Sequence, residues 1–360
     1  MDTRYSPEQE AFRDSLRRYL AEKCDQGFTR QRWHEPVPHT HELWKKIVEL
    51  GITALLIPEE HGGLGMTMTD MGVVMEELGR RVNVVPVLAS CVAATSLAVG
   101  VKDNEILGKL AEGSVIATVA FEEEGINFLN HQQPALQAKQ GKLTGTKVRV
   151  LDALATHVMY VTARDGIYRV DSKTAGLTLT PTETIDGSRR YATVSFENVP
   201  AVKVGELSAL APMIDRTLVA LSADALGAAE MALHLALQYA KERVQFGVPV
   251  GSFQVVQHML AEMFQQVEIA KAGLRYALWC QDEAAQAGDI AEAHRSAVIL
   301  KAFISEKFPK VGADTIQIFG GAGFTWEYDA QLYYKRLLSA ELLLGNSSVW
   351  LEEVARMVMD

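Results

Sequence analysis

Arg243-Val244-Gln245-Phe246-Gly247-Val248-Pro249-Val250-Gly251-Ser252-Phe253-Gln254-Val255-Val256-Gln257-His258 joins two long Ala/Leu-rich segments. An ordinary helix-to-helix loop uses Gly and Pro for its turns. This one also places an arginine, three glutamines, two phenylalanines and a histidine within sixteen residues. A guanidinium pairs with pyrophosphate, amides bond hydroxyls and base edges, and aromatic rings pack flat heterocycles. The set suits a dinucleotide.

On either side, apolar residues at helical spacing predict long helices over 210–242, 252–287 and 289–315, then over 328–343 and 347–358. Before them, short β-rich runs at Val115 to Phe121, Val158 to Ala163, Gly166 to Val170 and Ala192 to Phe196 alternate with turn residues. Residues 1 to 112 read as helices. Ser6-Pro7-Glu8-Gln9 is a start signal, and Leu43, Trp44, Ile47 and Leu50 stop at Gly51. A further helix from about Thr69 ends near Gly79. The expected organisation is mostly α with a central β domain: a helical region 1–112, a β region 113–205 and a helical bundle 206–360. The two helical parts are expected to share one core.

The 360 residues are 48% hydrophobic and 22% charged, as in ordinary globular chains. The net charge of −10, without a cationic cluster, excludes nucleic acid and anionic membrane surfaces as natural partners. Cys24, Cys91 and Cys280 form no CxxC pair or secreted framework, and the opening residues are polar, so a cytoplasmic location is expected. Val82 to Val99 is apolar but holds Asn83, Pro86, Ser90, Thr95 and Ser96. It reads as a buried helix after a Pro-containing loop, not a membrane span. His34, His39 and His41 lie in a Pro-broken loop without ligand spacing, so no metal site is expected.

The 243–258 segment resembles that of the acyl-CoA dehydrogenase family, which carries Arg-x-x-Phe-Gly-x-Pro-x-x-x-Phe-Gln-x-x-Gln. The likeness extends over essentially the whole chain. Leu50-Gly51 through Pro58-Glu59-Glu60-His61-Gly62-Gly63-Leu64-Gly65 resembles the family's N-terminal turn, and Glu76-Glu77-Leu78-Gly79 its following helix. Gln317-Ile318-Phe319-Gly320-Gly321-Ala322-Gly323-Phe324 is similar to the family's glycine cluster. By its residues alone that cluster is a helix end and turn. The resemblance implies a helical N-terminal domain, a β-barrel-like middle domain and a C-terminal four-helix bundle. It also implies FAD held by Arg243, Gln245, Phe246, Phe253, Gln254, Gln317, Gly320 and Gly321 across a subunit interface. Glycine there lets backbone come close to the pyrophosphate. No GxGxxG stands between a strand and a helix, so the site is not of the Rossmann kind.

Family members abstract the α-proton of an acyl-CoA with a carboxylate while the flavin takes the β-hydrogen as hydride. That base must reach the α-carbon. Alignment with the family's two base positions puts Leu344 at one and Thr217 at the other, and neither is a competent base. Asp215, Asp224 and Glu341 lie nearby in sequence, but each needs a slip in register. The segments that usually meet the flavin ring read Phe121-Glu122-Glu123 and Arg149-Val150-Leu151, and the following turn reads Gly125-Ile126-Asn127. Glu122 would place negative charge beside a ring that becomes anionic, unless Arg149 balances it. Tyr333-Tyr334-Lys335-Arg336 and Leu342-Leu343-Leu344-Gly345 resemble the subunit type without a base.

The resemblance therefore implies an FAD-dependent flavoprotein subunit acting in α,β-desaturation of a CoA thioester, of fatty or steroid side-chain type. Its implied partners are a homologous catalytic subunit in an α2β2 complex, or copies of itself, with an electron-transfer flavoprotein as electron acceptor. Two other readings remain at this stage: a binding or structural homologue without redox chemistry, and a different flavin-dependent oxidation on the same fold.

Overall fold

Ser6 caps the first helix as its sequence predicts. Its hydroxyl accepts from the Gln9 amide while the Gln9 side chain accepts from the Ser6 amide, so two otherwise unpaired donors are satisfied at once. The computed structural model describes residues 3–37, 39, 41–125 and 133–359. Its first helices are α1 (Pro7–Lys23), α2 (Gln26–Gln31), α3 (His41–Glu49), α4 (Met68–Arg80), α5 (Thr95–Gly100) and α6 (Asn104–Ala111). The apolar run after Pro86 is helical and buried through Ala98, but Val87–Ala94 winds as a π-helix before α5 takes over.

The middle of the chain forms eight strands: β1 (Ala117–Ala120), β2 (Gln137–Lys139), β3 (Lys142–Leu151), β4 (Val158–Ala163), β5 (Gly166–Asp171), β6 (Leu177–Thr182), β7 (Tyr191–Pro200) and β8 (Val202–Gly205). They make two sheets, ordered β1-β4-β5-β8 and β2-β3-β7-β6. Only the β1–β4 pair is parallel. Along β7 every second side chain faces inward, so Ala192, Val194 and Phe196 meet Met159, Val161 and Val170 of the other sheet. The barrel-like closure expected for this region is not formed. Among the described residues each sheet has two open edges, and the sheets share their core by facing each other.

The rest of the chain is helical apart from one small hairpin: α7 (Leu210–Glu242), then β9 (Val244–Gln245) and β10 (Val248–Pro249), then α8 (Gln254–Ala287), α9 (Ile290–Phe319), α10 (Ala330–Leu342) and α11 (Ser347–Met359). Leu207–Glu242 is the one helical stretch among the described residues long and apolar enough to cross a membrane by length and composition. Most of its apolar window is buried within the chain.

The chain divides into two compact units. One comprises residues 31–71 and 84–217, with the sheets, and the other residues 1–30, 72–83 and 218–360. The second unit joins the first helix and most of α4 to the C-terminal helices, whereas α3, α5 and α6 fall in the unit with the sheets, so only part of the N-terminal helical region shares a core with the C-terminal one. Within it α4 and α7 approach backbone to backbone. A Cβ on Gly79 would overlap the carbonyl oxygen of Asp224, and one on Gly227 would overlap that of Glu76. Each helix therefore offers a glycine where the other offers a carbonyl. Beside this seam the Asp224 carboxylate takes two hydrogen bonds from Arg336, from Nε at 2.9 Å and Nη2 at 2.6 Å, with both side chains buried.

Candidate functional site

Arg243 continues directly from α7, its amide donating to the Tyr239 carbonyl at 2.8 Å. The chain then turns back in a hairpin in which Gln245 faces Val248, leaving only Phe246 and Gly247 as the loop. Both have positive φ, 53° and 82°, as a two-residue primed turn needs. Such a turn aims its first side chain outward, and Phe246 is 93% exposed, with Phe253 meeting its ring edge-on at 6.2 Å. The Val250 amide closes the hairpin on the Arg243 carbonyl at 2.8 Å. Gly251 lets the chain lie against α7, since a Cβ there would come within 2.8 Å of the Ala240 carbonyl oxygen. Arg243, Gln245 and Gln254 are exposed and Phe253 is half-buried. Arg243 makes no ion pair among the described residues.

The glycine cluster caps α9. Gly320 has φ 61° and ψ −142°, a conformation that only glycine adopts without strain. Gly323 is required by packing, because its Cβ would stand 2.9 Å from the Ile316 carbonyl oxygen. Gly321 is different. Its φ is not positive, and a Cβ there would meet nothing within 4 Å. Nothing in its own chain calls for glycine at this place. Gln317, Gly320 and Gly321 are exposed, and Phe324 is 73% exposed.

The structure brings these two segments together through rings. Tyr239, one helical turn before Arg243, stacks on Phe319, the residue before Gly320, with centroids 4.1 Å apart and planes 17° from parallel. Tyr328 meets both rings edge-on, at 6.1 Å and 5.5 Å. The motif spacing does not single out Tyr239; an aromatic residue four positions ahead of the arginine is its one signal in the sequence. An exposed cation, free amides, aromatic faces and open space at Gly321 fit a flavin dinucleotide.

Neither of the two positions at which the sequence leads one to expect a base carries an acidic or basic side chain. Leu344 lies in the turn between α10 and α11 with φ 63°, its side chain buried. Its carbonyl accepts the Trp350 indole N–H at 2.9 Å, which pins the turn. Thr217 is buried in α7, its hydroxyl donating to the Met213 carbonyl at 2.7 Å. Of the neighbouring carboxylates, Asp224 is held by Arg336, Asp215 is buried, and Glu341 is half-buried with its carbonyl accepting from Lys301 at 3.0 Å.

In the β-rich unit, Arg149 does balance Glu122, with Nε 2.8 Å from the carboxylate. Burial raises the Glu122 pKa, and Arg149 opposes that rise. Arg149 has φ 51° where the register of β3 against β7 shifts between Lys147 and Val150. The next carboxylate is occupied too. Glu123 accepts from Lys147 at 2.6 Å and from the amides of Ala135 and Leu136 at 2.6 and 3.0 Å. Burial works against its charge, yet these donors hold its carboxyl below the ordinary range. Burial also pushes the Lys147 ammonium down to about 8. Of the Gly125-Ile126-Asn127 turn, Ile126 and Asn127 lie outside the described residues. In the histidine loop His39 packs against Trp44 at 6.1 Å, and no group of three or more metal-ligating side chains occurs among the described residues.

The family model described as the acyl-CoA dehydrogenase N-terminal domain matches residues 6–104, and that of the C-terminal domain matches residues 212–359. The acyl-CoA dehydrogenase IpdE2 of Mycolicibacterium smegmatis is 30% identical over 343 residues, covering 94% of this chain and 95% of that protein. A chain of the Tcur3481-Tcur3483 steroid ACAD superposes with a TM-score of 0.88 at 28% identity, covering 98% of each. A chain of the ChsE4-ChsE5 complex from Mycobacterium tuberculosis shares the fold, with a TM-score of 0.89 at 23% identity over 100% of this chain and 99% of that one. With its two helical regions, its central sheets and these relatives, the chain belongs to the acyl-CoA dehydrogenase family, a family of oxidoreductases.

Proposed function

We propose that this chain is the non-base-bearing subunit of an FAD-dependent acyl-CoA dehydrogenase of α2β2 type, in which a homologous partner supplies the carboxylate that removes the α-proton. The observation that carries the reading is a contrast. Both base positions are filled by buried groups that cannot take up a proton at neutral pH, Leu344 and Thr217, whereas the hairpin and glycine turn stand exposed. The steroid ACAD Tcur3481-Tcur3483 and the ChsE4-ChsE5 complex, each named for two components, support such an assembly.

In this reading Arg243 neutralises the pyrophosphate, and Gln245, Gln254 and Gln317 bond polar edges of the dinucleotide. Phe246 and Phe253 pack its flat rings, and Gly320 and Gly321 admit its phosphates to the backbone. FAD, when bound, supplies the acceptor for the substrate's β-hydrogen. The Glu122–Arg149 pair fills the flavin-ring position of this chain's own β-rich unit, which turns the redox centre toward the partner. The substrate is a CoA thioester of fatty or steroid side-chain type, the electron acceptor an electron-transfer flavoprotein, and the setting cytoplasmic. The regions 1–112, 113–205 and 206–360 are proposed as the three domains.

The test is to purify the chain alone and with the product of its genomic neighbour, and to record flavin absorbance, FAD per chain and acyl-CoA desaturation. Flavin and turnover in the pair, with neither in the lone chain, is the expected result. A lone chain that holds one FAD per subunit and desaturates acyl-CoA quickly overturns the proposal. A flavin-free pair that still assembles replaces it with a structural role.

A further inference from the structure

Arg243 and the Gly320–Gly321 turn sit at the ends of two different helices, and helix ends are where backbone hydrogen bonds run out. Past α7 the chain runs through the two-residue strands β9 and β10 and a short turn at Val250–Ser252, and past α9 through a single short turn. A cation and a glycine turn can serve one ligand only if their spacing is kept. The rings supply that constraint. Tyr239 is tied to Arg243 through its own carbonyl, and Phe319 precedes Gly320 directly. The turn also wraps around Phe319, since a Cβ on Gly323 would come within 3.0 Å of the Phe319 Cβ. Phe319 is buried with Ile316 and Ala330, and Leu235, Tyr239 and Tyr334 pack against them. Tyr239 is the half-buried outer member of the stack, with Tyr328 closing the edge.

We propose that Tyr239 is a positioning residue for the dinucleotide: its stack on Phe319 fixes the distance between the Arg243 hairpin and the Gly320–Gly321 turn. The proposal rests on the reading of these segments as an FAD surface. A leucine at 239 can fill much of the same volume but cannot lie flat on Phe319, whereas a phenylalanine can.

The experiment uses the full chain with its partner, titrated with FAD by fluorescence quenching. It is paired with tryptic cleavage after Arg243 in the FAD-free full chain and with thermal unfolding of each variant. Tyr239→Leu is expected to weaken FAD about tenfold and to speed cleavage after Arg243, with Tyr239→Phe near the unmodified protein in both. Phe319→Leu breaks the stack from the other side and is expected to act like Tyr239→Leu. Leu235→Ala, in the same cluster but not itself one of the stacked rings, is expected to lower the unfolding temperature and leave FAD affinity and cleavage unchanged. Equal FAD affinity in Tyr239→Leu, or an equal loss in Leu235→Ala, overturns the proposal. If the unmodified complex takes up no FAD, the cofactor reading fails instead. Unchanged cleavage in Tyr239→Leu would then still sink the positioning role.

Discussion

Two pairs of glycines in the same unit have opposite reasons for being there. Gly79 and Gly227 sit where α4 and α7 touch, and a methyl group on either would overlap a backbone carbonyl of the facing helix. Gly320 and Gly321 sit at an exposed helix end, where a methyl group would meet nothing within 4 Å. Gly320 still answers to its backbone conformation; Gly321 answers to nothing in its own chain. The first pair is a requirement of folding. The second leaves room for something from outside, which is what a binding surface for a pyrophosphate would need. Charges follow the same division. At the seam Asp224 and Arg336 are buried and paired, whereas at the hairpin Arg243 is exposed and makes no ion pair among the described residues.

The largest effect is expected at the seam. Arg336→Met removes the cation that pairs with the buried Asp224 carboxylate and should cost about 3–5 kcal/mol in denaturant unfolding. Combining it with Asp224→Leu should recover most of that loss; a double variant as unstable as the single would mean the pair is not the cause. Gly227→Ala should cost about 3 kcal/mol, since helix backbones would have to separate. A variant that unfolds like the unmodified chain would remove the packing argument.

Glu76 lies in the same seam, and its carboxyl, accepting from the Tyr5 hydroxyl, is pushed up to about 7 from its ordinary 4.5, chiefly by burial. A raised carboxyl favours folding most when protonated. Its contribution is therefore complete below pH 4.5 and lost as pH rises through 7. Unfolding measured across that window should show a fall on the order of 2 kcal/mol from this group. Glu76→Gln should flatten it, and an unchanged profile would assign the slope elsewhere. Smallest in stability is Gly321→Ala, expected to shift unfolding by less than about 0.5 kcal/mol while weakening FAD binding of the complex about tenfold. Loss of folding there would put Gly321 with the seam glycines instead.

Much of the helical architecture was legible because it is local. The Ser6-Pro7 start, the stop after α3 at Gly51 and the long C-terminal helices follow from caps and period. α9 runs to Phe319, beyond the expected 315, because Ile316, Ile318 and Phe319 are buried and continue its apolar face. The π-helical winding at Val87–Ala94 was not legible, since an apolar run without polar punctuation is silent about its hydrogen-bond step. Nor was the Lys147–Glu123 pair, whose partners lie 24 residues apart and meet only when β3 is paired.

From residue identities alone came the alternation of helical and β-rich regions, the motif that leads to the acyl-CoA dehydrogenase family, and the lack of an ionisable group at Leu344 and Thr217. Those are properties of side-chain chemistry and short-range spacing. The tertiary structure alone decided that the sheets stay open, that Asp224 is bound to Arg336, and that Trp350 pins the Leu344 turn. It also decided which glycines serve the fold and which leave space beside the chain. Each of these depends on which atoms from distant parts of the chain stand next to one another, and spacing along the sequence carries no record of that.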